Sequence, residues 1–116
     1  MKPLSDIDYE KALSELIDYA CEDWLDVGIV ASAMRECFDH MPSYQEVRPL
    51  AIRAVRDLIN AGAVAGDIIA EGDKPWRFEP WKVTPHEAID RITAGLRQRD
   101  SYIDDPGELG WLLFPG

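Results

Sequence analysis

The sequence predicts one domain of the α+β class, mainly α, in which three helices precede a β-hairpin, a fourth helix and a C-terminal strand. Apolar residues recur at the helical spacings of three and four in four segments, and capping residues precede those segments. A run rich in Val and Ile is separated by a turn from an aromatic run, which is typical of a hairpin. A chain of 116 residues, 47% hydrophobic and 29% charged, has the size and composition of a single globular domain spanning residues 1–116.

The first helix is predicted to begin at Ser5 and Asp8, which have the spacing of a capping box. Its apolar positions follow at intervals of three and four: Leu13, Leu16, Ile17, Ala20, Cys21 and Trp24. The opposite face is mostly acidic and carries Asp8, Lys11, Glu15, Asp18 and Glu22. The pattern therefore predicts one face for the core and one face for solvent.

A second helix is predicted from Asp26, whose carboxylate suits an N-cap, to about Phe38. Residues 24–25, between the two helices, have the length of a very short strand. Cys21 and Cys37 fall on apolar helical faces, so we expect both to be reduced core residues, as is usual in cytoplasmic proteins.

A third helix is predicted to open at Ser43 and Glu46, the clearest capping box in the chain, and to end at Gly62 as a C′ glycine. Pro49 lies inside this helical pattern, so a kink or a later start is expected there.

Residues 63–70 and 75–83 are predicted to form an irregular, edge-like hairpin across a turn at residues 71–74. A fourth helix is predicted from Thr84 to about Arg99, because Thr84 and Glu87 form a capping box around a proline suited to the first helical position. The apolar residues 109–114 are expected to dock on the domain as a strand.

The aromatic residues of the hairpin have two interpretations. Alternation predicts that Trp76 and Phe78 cover the core, whereas Trp81 falls out of register and is expected to be partly exposed. An exposed Trp beside an Arg is also typical of a protein-interface anchor. Stacking on nucleobases is a further possibility that the acidic surroundings disfavour.

Three helices followed by a hairpin resemble the winged-helix fold, across roughly residues 5–83. Within this range, residues 54–64 look like the third helix of such a domain running into its wing strand. The resemblance implies that the fourth helix and the C-terminal strand are additions. It also implies that the third helix would read DNA if the protein were a regulator.

DNA reading by the third helix would rely on Arg48, Arg53 and Arg56, with the bases of the hairpin beside them. The alternative is that these arginines pair with acids one turn away and only stabilise the helix. The net charge of −10 disfavours binding to nucleic acid and to anionic membrane surfaces. No segment reaches the roughly 18 apolar residues that a membrane-spanning helix needs.

The excess of acids is confined largely to the first two helices. Residues 1–42 contain ten acids and three bases, whereas residues 43–70 contain three of each. Such a surface speeds encounter with a basic protein and disfavours other partners. The candidate partner-binding residues are Asp8, Glu15, Asp18, Glu22, Asp23 and Asp26, together with Trp76 and Trp81. A solvated surface that only confers solubility is the alternative.

Catalytic and metal-binding motifs are not found in the sequence, so we expect a protein that is not an enzyme and has no cofactor. Cys37 and His40 are three residues apart, but no paired-cysteine motif completes a zinc set, and no calcium loop occurs. The nucleophile elbow and the phosphate-binding glycine loop are also missing from the sequence.

In size, acidity and lack of catalytic motifs, the chain resembles immunity proteins of bacterial nuclease toxins. This resemblance implies that its acidic helices occlude the basic cleft in which the nuclease binds phosphates. The alternative is a winged-helix transcription regulator or a protein-docking subunit with that fold. A cytoplasmic location is expected because the first residues contain no signal-peptide core.

Overall fold

The computed structural model describes residues 6–102, 105 and 107–115, with side chains from residue 8 onward. Four helices pack with a four-stranded antiparallel sheet, which confirms the predicted α+β, mainly helical class. In chain order the elements are α1 (Asp6–Glu22), β1 (Leu25–Asp26), α2 (Val27–Arg35), α3 (Tyr44–Asn60), β2 (Val64–Ile69), β3 (Arg77–Pro80), α4 (Pro85–Gln98) and β4 (Trp111–Leu113). Among the described residues, no helix has both the length and the apolar composition that a bilayer crossing requires.

The helices begin where side chains satisfy their first backbone N–H groups. The carboxylate of Asp26 accepts from the amide of Gly28 at 3.2 Å, which confirms it as the N-cap of α2. Thr84 and Glu87 form the complete reciprocal capping box predicted for α4. The predicted cap of α1 at Ser5 lies outside the described residues.

The cap of α3 differs from the prediction in one of its two bonds. Ser43 Oγ accepts from the amide of Glu46 at 3.3 Å, as a capping box requires. The Glu46 carboxylate instead contacts Nε2 of His40 at 2.9 Å. The helix runs from Tyr44 through Pro49 without interruption, so the later start that we considered is wrong.

The ends of α2 and α3 show how the local backbone closes a helix. After α3, Gly62 has φ 117°, and the amides of Gly62 and Ala63 bond to the carbonyls of Ile59 and Leu58. This is a Schellman motif, and it confirms Gly62 as the C′ glycine. α2 ends at Arg35, earlier than predicted, because the following amides bond to carbonyls three residues back and tighten the chain into turns.

The sheet has the order β1-β4-β2-β3, with every neighbouring pair antiparallel. β4 therefore lies between β1 and β2, where the fully buried Leu112 is paired with Leu25 on one side and Ala65 on the other. The predicted docking of the C-terminal strand is confirmed. Its central place means that the last strand of the chain joins β1 to the hairpin.

The hairpin strand β3 forms an edge of the sheet and is shorter than the predicted range of residues 75–83. The amide of Trp81 donates to Ala65 at 3.0 Å, and Pro80 is paired with Gly66. Because hydrogen-bonded and non-hydrogen-bonded pairs alternate, the backbone of Pro80 faces away from β2. The missing N–H of this proline therefore costs no bond to β2, and it leaves the outer edge poorly suited to pairing with another strand.

Two predictions about burial are wrong. Cys21 is exposed, because the core-facing side of α1 passes through its buried neighbour Ala20. Cys37 is half-buried, and neither cysteine forms a disulfide with a described residue. Trp76 is 67% exposed and does not cover the core, because β3 begins only at the next residue and so does not hold Trp76 in the alternation. Phe78, inside the strand, is half-buried.

Candidate functional site

The outward side of α1 presents the carboxylates that the sequence singled out. Asp8, Glu15, Asp18 and Glu22 recur at spacings of seven, three and four, and all four are exposed. The buried residues of the same helix, Tyr9, Leu16 and Ala20, lie on its other side. We call the four carboxylates the α1 acidic face. Between residues 8 and 22, Lys11 is the one base, and it lies on this face.

Most of the α1 acidic face has no basic partner among the residues that the structure describes. Glu15, Asp18 and Glu22 make no side-chain hydrogen bond or ion pair with a described residue. Many acids elsewhere are paired with a base or a histidine: Asp39, Glu46, Asp57, Glu71, Glu79, Asp90 and Glu108. The α1 acidic face therefore places three exposed, uncompensated carboxylates within two helical turns.

The last two acidic candidates, Asp23 and Asp26, differ in exposure and in structural role. Asp23 is exposed just beyond α1, where its carboxylate accepts from the amide of Trp24 at 2.7 Å. Asp26 is only 8% exposed, and its Oδ1 accepts from the amides of Gly28 and Gly107. Asp26 is thus a structural cap that ties the start of α2 to the loop before β4. Its burial leaves little of this carboxylate accessible to the partner that the sequence predicts.

Two features beside the acidic residues were missed from the sequence. Tyr19 is 42% exposed on α1, between Asp18 and Glu22, and contributes an aromatic ring where only charge was expected. A depression of about 380 Å³ lies at the end of α1 and is lined by Ala20, Cys21, Glu22, Asp23, Trp24, Leu113 and Phe114. Leu113, in β4, and Phe114, just after it, are distant in sequence from α1, so no local pattern indicates the depression.

The third helix does not present its arginines as one free basic surface. The guanidinium of Arg53 lies 3.9 Å from the ring centre of Tyr9, and its Nε lies 3.9 Å from Oδ2 of Asp57. Nη1 of Arg48 donates to the carbonyls of Arg97 and Arg99, at 3.3 and 3.2 Å. The alternative interpretation of pairing within the helix therefore holds for Arg53, and Arg48 instead caps the end of α4.

A groove between α3 and α4 carries the remaining arginines of this region. It has a volume of about 540 Å³ and is lined by Arg48, Pro49, Ile52, Arg56 and Arg97. We call it the arginine groove. Its lining contains no acid, and neither Arg56 nor Arg97 has an ion pair with a described residue. Arg97, on α4, was not among the candidates because its approach to α3 depends on helix packing.

Of the three bases in the hairpin region, Arg77 is compensated by acids of the same region. Arg77 is held between two carboxylates, with its Nη2 2.7 Å from Glu71 and its Nη1 2.8 Å from Glu79. These hydrogen bonds raise the pKa of Arg77, so it stays charged but compensated. Lys74 and Lys82 are exposed.

The two tryptophan candidates differ in their surroundings. Trp76 stands exposed before β3, whereas Trp81 follows β3 and is half-buried against the core. The guanidinium of Arg91 lies 3.7 Å from the ring centre of Trp81 and covers one face of the indole. Trp76 therefore offers an exposed aromatic ring to a partner, whereas one face of the Trp81 ring is already covered by Arg91.

His40 lies between two carboxylates in the loop before α3. Its ring nitrogens contact Asp39 at 3.1 Å and Glu46 at 2.9 Å, and hydrogen bonding to Glu46 and then to Asp39 raises the pKa of the imidazole. Burial raises the pKa of the nearby Cys37 thiol, which lowers its thiolate fraction. Within the part of the chain that the structure describes, no three Cys, His, Asp or Glu side chains are grouped as metal ligands would be.

Comparisons of the chain with protein-family models, with curated protein sequences and with solved structures found no match.

Proposed function

We propose that the chain binds a basic protein through the α1 acidic face, and that this partner is a bacterial nuclease toxin which the chain neutralises as a cytoplasmic immunity protein. The observation that carries the proposal is that Glu15, Asp18 and Glu22 stand exposed without a basic partner among the described residues. Tyr19, exposed within the same surface, is the kind of residue that anchors protein interfaces.

The proposed mechanism is occlusion. A nuclease must display a basic cleft to bind phosphates, and a dense surface of carboxylates is complementary to that cleft. The rigid α1 helix holds Asp18 and Glu22 one turn apart, so two carboxylates enter the cleft together. The long-range attraction speeds encounter, and the desolvated contacts slow dissociation. The chain itself performs no chemistry in this mechanism and needs no cofactor.

A winged-helix regulator or protein-docking subunit is the second candidate. The observation that favours it is the order of elements, with three helices before the β2–β3 hairpin. A DNA-reading surface would need clustered free bases on α3 and on the hairpin. Arg53 and Arg77 contact carboxylates of their own molecule, which leaves Arg56 on α3 and Lys74 and Lys82 near the hairpin. The compensated bases and the net charge of −10 therefore favour the first candidate.

The test is a binding titration against the product of the neighbouring gene, since an immunity gene normally lies beside its toxin. We expect D18K/E22K to weaken the complex by roughly 2–5 kcal/mol if both carboxylates are desolvated against basic groups. Association of the unmodified chain should slow as salt rises, because the Debye length falls from about 30 Å at 0.01 M to about 8 Å at 0.15 M.

The matched control is D73K/D100K, which makes the same change in net charge at two exposed acids outside α1. It should leave the affinity close to that of the unmodified chain. Equal weakening by both double variants would show that only net charge matters. Unchanged affinity in D18K/E22K would move the interface elsewhere, with Trp76 as the next position to vary. Nuclease activity that persists in a stable complex would rule out occlusion.

A further inference from the structure

The arginine groove is a concave surface, within the described part of this acidic molecule, at which positive charge is left uncompensated. Arg48, Ile52 and Arg56 lie one turn apart along α3, and Arg97 faces them from α4. Arg56 and Arg97 are both exposed. In a chain of net charge −10, this grouping cannot be attributed to a general excess of bases.

The three arginines of the groove differ in whether they have a structural role. Arg48 bonds to carbonyls at the end of α4. The negative end of the helix dipole also stabilises a cation at this position. This accounts for Arg48 as a structural residue and holds one guanidinium at the rim of the groove. Arg56 and Arg97 have no such structural contact through their side chains among the described residues. The fold therefore leaves two guanidinium groups available.

The groove also has an apolar part, which restricts the chemistry of its occupant. Pro49 is exposed and Ile52 closes the floor between Arg48 and Arg56. The backbones of Arg48 and Arg56 are eight residues apart, or about 12 Å at a helical rise of about 1.5 Å per residue. An occupant that matches this surface carries carboxylates for Arg56 and Arg97, beside an apolar group that contacts Pro49 and Ile52.

We propose that the arginine groove docks an acidic, amphipathic segment of a protein partner. Guanidinium groups bind carboxylates through paired hydrogen bonds, and arginine is enriched at protein interfaces. Carboxylates on one side of such a segment would bind Arg56 and Arg97, and its apolar side chains would contact Pro49 and Ile52. A phosphodiester backbone offers no apolar group to contact Pro49 and Ile52. This surface is separate from the α1 acidic face, and the proposal does not depend on the function proposed above.

The proposal is tested by fluorescence anisotropy with two labelled probes: a synthetic helical peptide of glutamate and leucine, and an oligothymidylate of equal charge. We expect saturable binding of the peptide and weaker binding of the oligonucleotide. Replacing both free arginines, R56E/R97E, should weaken peptide binding by roughly tenfold or more, since two charge-assisted contacts become repulsive. The neutral pair R56Q/R97Q should weaken it in the same direction.

The matched control is K74E/K82E, which makes the net charge more negative by the same four units at two exposed hairpin lysines. Peptide binding that survives in this control supports a site in the groove, and equal weakening by both pairs overturns it. Tighter binding of the oligonucleotide would assign the groove to nucleic acid. Self-association in sedimentation velocity that R56E/R97E abolishes would assign it to a second copy of the chain. Absence of peptide binding also overturns the proposal, provided that urea unfolding shows each variant to be folded.

Discussion

At the residue scale, Tyr9 shows how one side chain links segments that are distant in sequence. It is fully buried on α1, and its hydroxyl donates to Oδ2 of Asp57 on α3 at 2.6 Å. Burial, followed by the bond to Asp57, raises the pKa of the phenol, so the hydroxyl keeps its proton and remains a donor. Arg53 lies above the ring of Tyr9. Arg53 and Asp57 therefore both contact Tyr9 and help to hold α1 against α3.

Replacing Tyr9 with Phe should lower the free energy of unfolding by about 1–2 kcal/mol, because the hydrogen bond to a charged acceptor is lost. The loss should lie at the lower end of that range, since Asp57 is still partly solvated and keeps its contact with Arg53. Tyr19→Phe is the control on the same helix, as the Tyr19 hydroxyl has no partner among the described residues. Urea unfolding measures both variants. Equal midpoints would mean that the Tyr9–Asp57 bond does not stabilise the fold.

At the scale of elements, the hairpin requires a glycine that is not in a turn. Gly66 is buried in β2, where an added Cβ would contact the backbone carbonyl of Glu79 and the ring of Phe78. A backbone neighbour cannot move without separating β2 from β3. Gly95, on α4, offers a contrast, because its Cβ would meet the end of the flexible Leu109 side chain.

Gly66→Ala should therefore destabilise the protein by roughly 1–3 kcal/mol through crowding of β3. Gly95→Ala should cost much less, since Leu109 can change rotamer and alanine favours a helix over glycine by up to about 1 kcal/mol. Thermal unfolding followed by circular dichroism compares the two variants. A Gly66→Ala protein as stable as the Gly95→Ala protein would show that β3 moves freely relative to β2.

At the scale of the whole molecule, β4 connects β1 to the hairpin strands in one sheet. Leu112 is fully buried and paired with both Leu25 and Ala65, so the sheet is continuous only when the C-terminal strand is in place. β1 has no other strand neighbour among the described residues. Residues from the start, middle and end of the chain thus meet at one position.

Leu112→Ala should lower the free energy of unfolding by about 2–5 kcal/mol, as expected for a cavity in a packed core. Val83→Ala removes apolar volume from a residue that is 41% exposed, and should change stability by less than about 0.5 kcal/mol. Urea unfolding monitored by tryptophan fluorescence and by circular dichroism gives both values. A small effect at Leu112 would show that β4 is not required to hold the sheet together.

Local signals in the sequence were sufficient for the elements and for part of the candidate site. Caps at Asp26, Ser43 and Thr84, and the C′ glycine Gly62, depend on bonds to residues at most five positions away. The exposed acids of α1 follow from the helical period alone, because an amphipathic helix turns its polar side to solvent.

Long-range packing decided what these local signals do not contain. The central place of β4, the burial of Asp26 against the loop at Gly107 and the approach of Arg97 to α3 join residues between 41 and 87 positions apart. Packing between elements also decided the roles of two arginines, since Arg48 bonds to the end of α4 and Arg53 lies over the ring of Tyr9 from α1. Sequence order specifies which side chains can form each element. Only the packed structure determines which side chains of different elements meet, because those contacts depend on distances between elements.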